Sequence, residues 1–316
     1  MIMKNTKFRG IISPIVTPFD KKGEIDETIF RREVKYLLGT GIHGISPGGS
    51  TGEGVALRDE ELVWLVKIIQ EENKHKIPVV VGIIRNSTQD AIRAGLAVKE
   101  AGVDALMVTP TYYNVLVPDD DGNYEFFKRI AEEVDLPVII YNVVPQNEIK
   151  PEIFDRMLEV DNIIGIKQSV GGIQAFYKMK LMCKDKGLIY SATDDMLYST
   201  FALGADGAIA AILTLFPELS LKMWDFVQSG DHESAKALQD KIYPIWQVIA
   251  GPQFPRRIKQ ALQFVGRDVG YCRSPILSAS TVEKETLEKL MKDLYQSIQV
   301  LDAGGAKCEN CFISTE

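Results

Sequence analysis

Residues 137–167 read PVIIYNVVPQNEIKPEIFDRMLEVDNIIGIK. The stretch opens on an apolar run at 137–141 and closes on another at 163–167. Neither run alternates apolar with polar, which is how strands of a parallel sheet read when helices cover both of its faces. Pro151 stands where the first turn of a helix accepts proline, so residues 151–159 read as the helix that crosses from one strand to the next. Strand, helix and strand make one β/α unit.

The unit repeats in both directions. Further β-rich runs at 10–17, 42–46, 77–82, 105–108, 188–191 and 208–212 bring the strands to eight. Helical patterns lie between them. Residues 26–38 bring Ile29, Val34, Leu37 and Leu38 near one stripe, and residues 59–73 repeat Leu62, Leu65, Val66 and Ile69 at three- and four-residue spacing. Ser87 suits the N-cap of a helix that runs to Ala101, with Gly102 as its stop. Residues 124–134, 173–186, 196–203 and 217–229 complete the set. Eight units in about 220 residues specify an α/β fold, the (β/α)8 or TIM barrel, more economically than a doubly wound sheet. No GxGxxG follows the first run, which further weakens a dinucleotide-binding sheet.

Past the eighth unit the strands stop. Residues 231–248, 254–264 and 281–300 read as helices. The expected organisation is a barrel over 1–229, a C-terminal helical appendage over 230–302, and a loose tail over 303–316.

Composition narrows the function classes. The chain of 316 residues is 46% hydrophobic, the fraction of an ordinary globular protein, so a disordered chain is excluded. Its net charge of −7, without extended basic runs, gives no nucleic-acid footprint. No apolar stretch reaches the ~18 residues of a membrane span. The polar first ten residues lack a signal-like apolar core, so the expected location is cytoplasmic. Cys183 and Cys272 are isolated and read as small packed side chains, whereas Cys308 and Cys311 form one CxxC in the tail without the further ligands a zinc site needs. No metal is expected.

In a barrel of this kind the chemistry gathers where strands end and βα loops begin. Lys167 ends an apolar strand there. A desolvated amine suits Schiff-base formation with a ketone; the alternative is a lysine that snorkels to solvent. Tyr141 ends the preceding strand and reads either as a proton relay or as a half-buried aromatic. Gly48-Gly49-Ser50-Thr51-Gly52 is a glycine-rich turn, either an anion cradle or simply a tight βα turn. Tyr112 and Tyr113 are adjacent and face different ways. His43 and His75 fall at the opposite end of the barrel and read as structural.

Four motifs together carry a resemblance: GSTGE at 49–53, PTYY at 110–113, YNVVP at 141–145 and GIK at 165–167. From about residue 10 to residue 277 the chain resembles the dihydrodipicolinate synthase/N-acetylneuraminate lyase family. The resemblance implies a class I, pyruvate-dependent aldolase or lyase on a (β/α)8 barrel, working without a cofactor on a 2-oxo acid (pyruvate) and an aldehyde, as a homotetramer. It implies that Lys167 is the Schiff-base lysine, that Tyr141 relays protons, and that Ser50 and Thr51 bind the 2-oxo acid carboxylate and join the relay. A second tyrosine, donated across a subunit interface, is Tyr112 or Tyr113. Ile209 matches the position whose backbone carbonyl lies near bound pyruvate.

The chain also departs from the family pattern. The synthase branch carries an arginine shortly after the catalytic tyrosine, and residues 144–148 hold none. An unpaired carboxylate at that site is unfavourable, which speaks against aspartate semialdehyde. Ala192 replaces a family glycine. Gln168, Ser169, Thr193 and Asp194 suit the hydroxyls of a sugar-acid-like substrate, Asp194 matching an acidic position of sialate lyases; the alternative for Asp194 is an N-cap on the helix near Met196. The expected reaction is the making or breaking of a C–C bond between pyruvate and an aldehyde, first as an aldolase of a hydroxylated 2-oxo-3-deoxy acid. The family's lysine-biosynthetic synthase activity, a dehydratase, a non-catalytic binder and a phosphate-binding barrel with another reaction are the alternatives.

Overall fold

Each apolar run becomes a short parallel strand because its two faces have different partners. In the computed structural model, which describes residues 6–302, the strands are β1 (Gly10–Pro14), β2 (Gly44–Ser46), β3 (Val80–Ile83), β4 (Ala105–Val108), β5 (Val138–Asn142), β6 (Ile163–Gln168), β7 (Leu188–Ser191) and β8 (Gly207–Ala208). They are ordered β2-β1-β8-β7-β6-β5-β4-β3. The two ends of this row meet through the parallel bridge Ile45–Val79, with Ile45 N–H donating to the Pro78 carbonyl at 3.0 Å and Gly82 N–H to the Pro47 carbonyl at 2.8 Å. The sheet thereby closes into a barrel.

One parity of each strand points inward. Ile12, Val80, Met107, Ile139, Tyr141, Leu188, Tyr190 and Ile209 form the inner cluster. The other parity, including Ile11, Val81, Leu106, Ile140, Ile166 and Ile189, packs outward against the helices. Phe8 closes the N-terminal end of the barrel, its carbonyl accepting the Tyr190 hydroxyl at 2.7 Å. Asp104 and Asp206, just before β4 and β8, repeat one device on opposite sides. Each accepts the backbone N–H of the preceding strand region, from Val79 at 2.8 Å and from Ile189 at 3.0 Å.

The outer layer comprises α1 (Glu27–Gly39), α2 (Asp59–Asn73), α3 (Thr88–Glu100), α4 (Asp120–Val134), α5 (Pro151–Met157), α6 (Gly172–Cys183), α7 (Leu197–Ala202), α8 (Ile212–Leu215) and α9 (Pro217–Ser229). Ser87 caps α3 by accepting Asp90 N–H, and Asp26 caps α1 by accepting Ile29 N–H. Three helices without intervening strands follow: α10 (His232–Ile249), α11 (Phe254–Phe264) and α12 (Thr281–Asp302). A buried pair, Arg267 Nη2 to Glu33 Oε2 at 2.7 Å, ties the segment after α11 to α1. Among the described residues no helix is long and apolar enough to cross a membrane. The expected tail over 303–316, with Cys308 and Cys311, lies outside the described residues.

Two expectations about elements need correction. The eighth strand is only Gly207–Ala208, and the apolar continuation at Ile212 opens α8 instead of extending the sheet. The first rung of this short pairing requires glycine, because a Cβ on Gly207 would sit 2.0 Å from the Gly10 carbonyl oxygen. Helix α4 begins four residues before 124, since Asp119 accepts Gly122 N–H at 2.8 Å and recruits a polar first turn that carries no apolar periodicity.

Candidate active site

Strand parity sends Lys167 inward from β6. In the ladder it stands between Tyr141 of β5 and Tyr190 of β7, so one lysine and two phenols share a level inside the barrel. Tyr190 turns its hydroxyl to Phe8 and forms the floor. Tyr141 lies against the lysine, with Lys167 Nζ 3.7 Å from its ring centroid, and each residue is 5% exposed. The Tyr141 hydroxyl is 3.1 Å from Ser50 Oγ. An amine, a phenol and an alcohol thus converge from β6, β5 and the loop after β2. The snorkelling alternative for Lys167 does not hold, since its side chain is enclosed.

The loop after β2 has its shape because glycine has no side chain. Gly52 N–H and Gly54 N–H both donate to the Gly49 carbonyl, at 3.1 and 3.0 Å, and Glu53 N–H donates to the Ser50 carbonyl at 3.1 Å. A Cβ on Gly54 would lie 1.7 Å from the Gly48 carbonyl oxygen, and one on Gly82 would lie 2.4 Å from the same atom. The turn therefore folds onto itself and onto β3. The N–H groups of Gly52, Glu53 and Gly54 are engaged in closing the turn, which leaves the Ser50 and Thr51 hydroxyls as candidates for an anion. Thr51 is buried beside Ser50.

The other expected residues are distributed as follows. Ile209 is buried in the inner cluster with Tyr141, just past β8, and its N–H donates to the Ser191 carbonyl at 2.9 Å. Tyr112 is half-buried, and Tyr113 is 57% exposed. Both of their N–H groups donate to Asn86 Oδ1, at 2.9 and 3.0 Å, and Gln146 Nε2 donates to the Tyr112 carbonyl at 2.7 Å. Within one chain neither of these tyrosines joins the Tyr141–Ser50 hydrogen bond. His43 lies at the opposite end of the barrel, where Nδ1 accepts Ile11 N–H at 3.0 Å and burial holds its pKa below the ordinary histidine range.

Asp194 is buried, and its Oδ1 accepts Ile212 N–H at 2.6 Å. Burial pushes its carboxyl up to about 7, against the opposing pull of the Ile212 N–H and the Lys167 charge. It does not cap α7, whose first residues follow Met196 without a side-chain cap; the carboxylate instead reaches across to the start of α8. Gln168 is also corrected. Next to Lys167 on the strand it must point the opposite way, and both ends of its amide are engaged: Oε1 accepts Asn142 Nδ2 at 2.9 Å and Nε2 donates to the Val170 carbonyl at 2.8 Å. Its side chain is buried and held in that direction by these two bonds. Thr193 lies 3.3 Å from Ser191 Oγ through its own hydroxyl. Strand runs read one at a time miss Tyr190; setting strand 7 in register against Lys167 finds it. Asn86 and Gln146, which hold the tyrosine loop, leave no signal in local sequence.

Among the described residues no group of three His, Cys, Asp or Glu side chains is placed to hold a metal ion.

Known proteins share this arrangement of strands and sequence. The profile of the Dihydrodipicolinate synthetase family matches residues 7–294. The 4-hydroxy-tetrahydrodipicolinate synthase of Syntrophus aciditrophicus is 32% identical over 288 residues, covering 90% of this chain and 98% of that protein. The crystal structure of dihydrodipicolinate synthase from Thermotoga maritima superposes with a TM-score of 0.86 at 28% identity, over 92% of this chain and 99% of that one. The enzyme from Acinetobacter baumannii, solved in complex with pyruvate, gives a TM-score of 0.84 at 31% identity, over 91% of this chain and 99% of its own.

Proposed function

This chain belongs to the dihydrodipicolinate synthetase family, and from that premise we propose that Lys167 forms a Schiff base with pyruvate, through which the enzyme makes or breaks a C–C bond between pyruvate and an aldehyde. The observation that carries the reading is the enclosed Lys167 amine against the Tyr141 ring, with the Tyr141 hydroxyl 3.1 Å from Ser50 Oγ.

That geometry supports the following steps. The free-amine form of Lys167 adds to the keto carbon of pyruvate. Tyr141 delivers a proton to the oxygen that becomes the carbinolamine hydroxyl, and Ser50 resupplies Tyr141 along the hydrogen bond. Loss of water gives the iminium. That cation acidifies the methyl carbon, which loses a proton to leave an enamine. The enamine carbon attacks the aldehyde, whose oxygen takes up a proton, and hydrolysis returns Lys167. In the cleavage direction the same steps run backwards. Ser50 and Thr51 bind the pyruvate carboxylate, and the Ile209 carbonyl lies against the bound 2-oxo acid. Tyr112 or Tyr113 completes the relay from a neighbouring subunit.

The preferred aldehyde is hydroxylated and uncharged, giving a 2-oxo-3-deoxy acid. Residues 143–149, after β5, hold no arginine, and the amide of Gln146 is engaged with the Tyr112 carbonyl. Asp194 remains the candidate for a substrate hydroxyl. A second reading, 4-hydroxy-tetrahydrodipicolinate synthase, is favoured by the names of the relatives at 30–32% identity. It requires another cation to meet the carboxylate of aspartate semialdehyde.

We also propose a homotetramer. Two separate apolar faces are exposed on one chain, Tyr113, Val115 and Leu116 beside the β4 loop, and Tyr177, Leu181 and Met182 on α6. Two different self-complementary contacts generate a closed tetramer.

Borohydride reduction of the purified protein with pyruvate, read by intact and peptide mass spectrometry, tests the chemistry. The expected product is a reduced pyruvate adduct on Lys167, absent from Lys167→Ala. Turnover with sugar-derived aldehydes but not aspartate semialdehyde selects the first reading, and the reverse selects the second. No adduct with pyruvate or with longer 2-oxo acids would leave a binding protein.

A further inference from the structure

Glu53 follows the Ser50-Thr51-Gly52 segment and has φ +55°, a left-handed conformation that a glutamate adopts only when its surroundings impose it. Those surroundings come from the far end of the chain. Lys259, on α11, is buried with its Nζ 2.7 Å from Glu53 Oε1, a charge contact more than a well-angled hydrogen bond. The same ammonium donates to the Thr17 carbonyl at 2.6 Å and the Tyr271 carbonyl at 2.5 Å. The other carboxylate oxygen of Glu53 accepts Arg273 N–H at 2.9 Å. Thr17 in turn donates its hydroxyl to the Gly52 carbonyl at 2.6 Å. Gly52 and Glu53 are therefore gripped from the β1 loop, from α11 and from the segment after α11.

Burying a glutamate–lysine pair is a weak stabilising device, since well-packed apolar residues do as well. Such a pair does fix one geometry. Here the geometry it fixes lies close in sequence to the hydroxyl that meets Tyr141. We propose that Glu53 and Lys259 are positioning residues, a clamp by which α11 holds Ser50 and Thr51 in register with Tyr141 and Lys167, so that the C-terminal helices take part in building the active site. The proposal rests on the Schiff-base reading above and assigns neither residue a contact with substrate.

The test compares wild type with Lys259→Met, Glu53→Gln and the double variant, which leaves no unpaired buried charge. Each is assayed at a temperature where circular dichroism shows it folded. The rate of borohydride-trapped pyruvate adduct on Lys167 is measured from low to saturating pyruvate, together with Tm. The expected result is that Lys259→Met and the double variant trap at least about 10-fold more slowly at saturation, the order of loss that misplaced reacting groups produce. The double variant should recover Tm relative to Lys259→Met without recovering the rate. Should Lys259→Met not fold, the double variant decides. A double variant that traps at the wild-type rate overturns the clamp while leaving the Schiff base standing. If wild type itself traps no 2-oxo acid, the Schiff-base reading falls and the clamp with it.

Discussion

The surroundings of Asp194 oppose a charge on its carboxyl. Its carboxyl is pushed up to about 7 from an ordinary value of 3.8, chiefly by burial. Between those two pH values the folded protein holds a proton that the unfolded chain has released. The contribution of this group to stability is therefore greatest below pH 3.8 and is lost as pH rises through about 7. An asparagine at this position would keep an oxygen for the Ile212 N–H without the buried charge. Asp194→Asn is expected to gain about 1–3 kcal/mol over wild type at pH 8 and nothing at pH 4, read from thermal melts at both. An equal difference at the two pH values would show that burial does not govern this carboxyl. Lys167 and Tyr141 are legible as side chains at strand ends, because position along a strand is a property of local sequence. Gln168 is misread for want of parity: one residue past Lys167, it faces away. The partners of Asp194 are hidden for a different reason, since Ile212 is reached across space from beyond the next strand.

At the level of elements, the apolar runs and the cap at Ser87 are readable because burial and capping act within a few residues. The short β8 is not, because how much of the run stays in the sheet depends on distant partners: only Gly207 and Ala208 pair with Gly10 and Ile11, and the Ile212 N–H turns to Asp194 instead. The β2 loop shows the same limit. Its glycines read equally as an anion cradle or as a tight turn, and only the placement of Gly48, Gly54 and Gly82, where backbones press together, favours the tight turn. Gly54→Ala places a methyl 1.7 Å from a carbonyl oxygen that has nowhere to move, because β3 lies behind it. The expected loss is at least about 3 kcal/mol, with failure to trap pyruvate in whatever protein remains folded. Chemical denaturation together with adduct formation checks both, and a fully active, wild-type-stable alanine variant would show that the turn can open.

Across the whole molecule, the (β/α)8 architecture follows from counting runs, since eight strands with crossover helices leave few other closures. The assembly is not written in the runs, because an exposed apolar side chain looks the same in sequence as a buried one. If two faces build the tetramer, they should fail separately. Leu181→Lys on α6 should give dimers that keep activity, whereas Leu116→Lys beside the tyrosine loop should give a smaller species that loses it, because the neighbour's tyrosine is withdrawn. Light scattering after size-exclusion chromatography, with activity measured on each peak, distinguishes the two. A fully active monomer would remove the tyrosine from the relay.

The barrel also has a seam. Its row of strands is continuous except between β2 and β3, which are joined by the Ile45–Val79 bridge and the Gly82–Pro47 hydrogen bond. The loop bearing Ser50 and Thr51 leaves β2 at this joint. A cylinder that is warmed breathes first along its weakest line, and such partial opening needs far less free energy than unfolding. Catalysis should then fade with temperature before the cylinder melts. Amide exchange at Ile45 and Gly82 should quicken over the interval in which activity drops, while β5 and β6, paired from Ile139–Gly165 through Asn142–Gln168 without a break, stay protected until the whole barrel gives way.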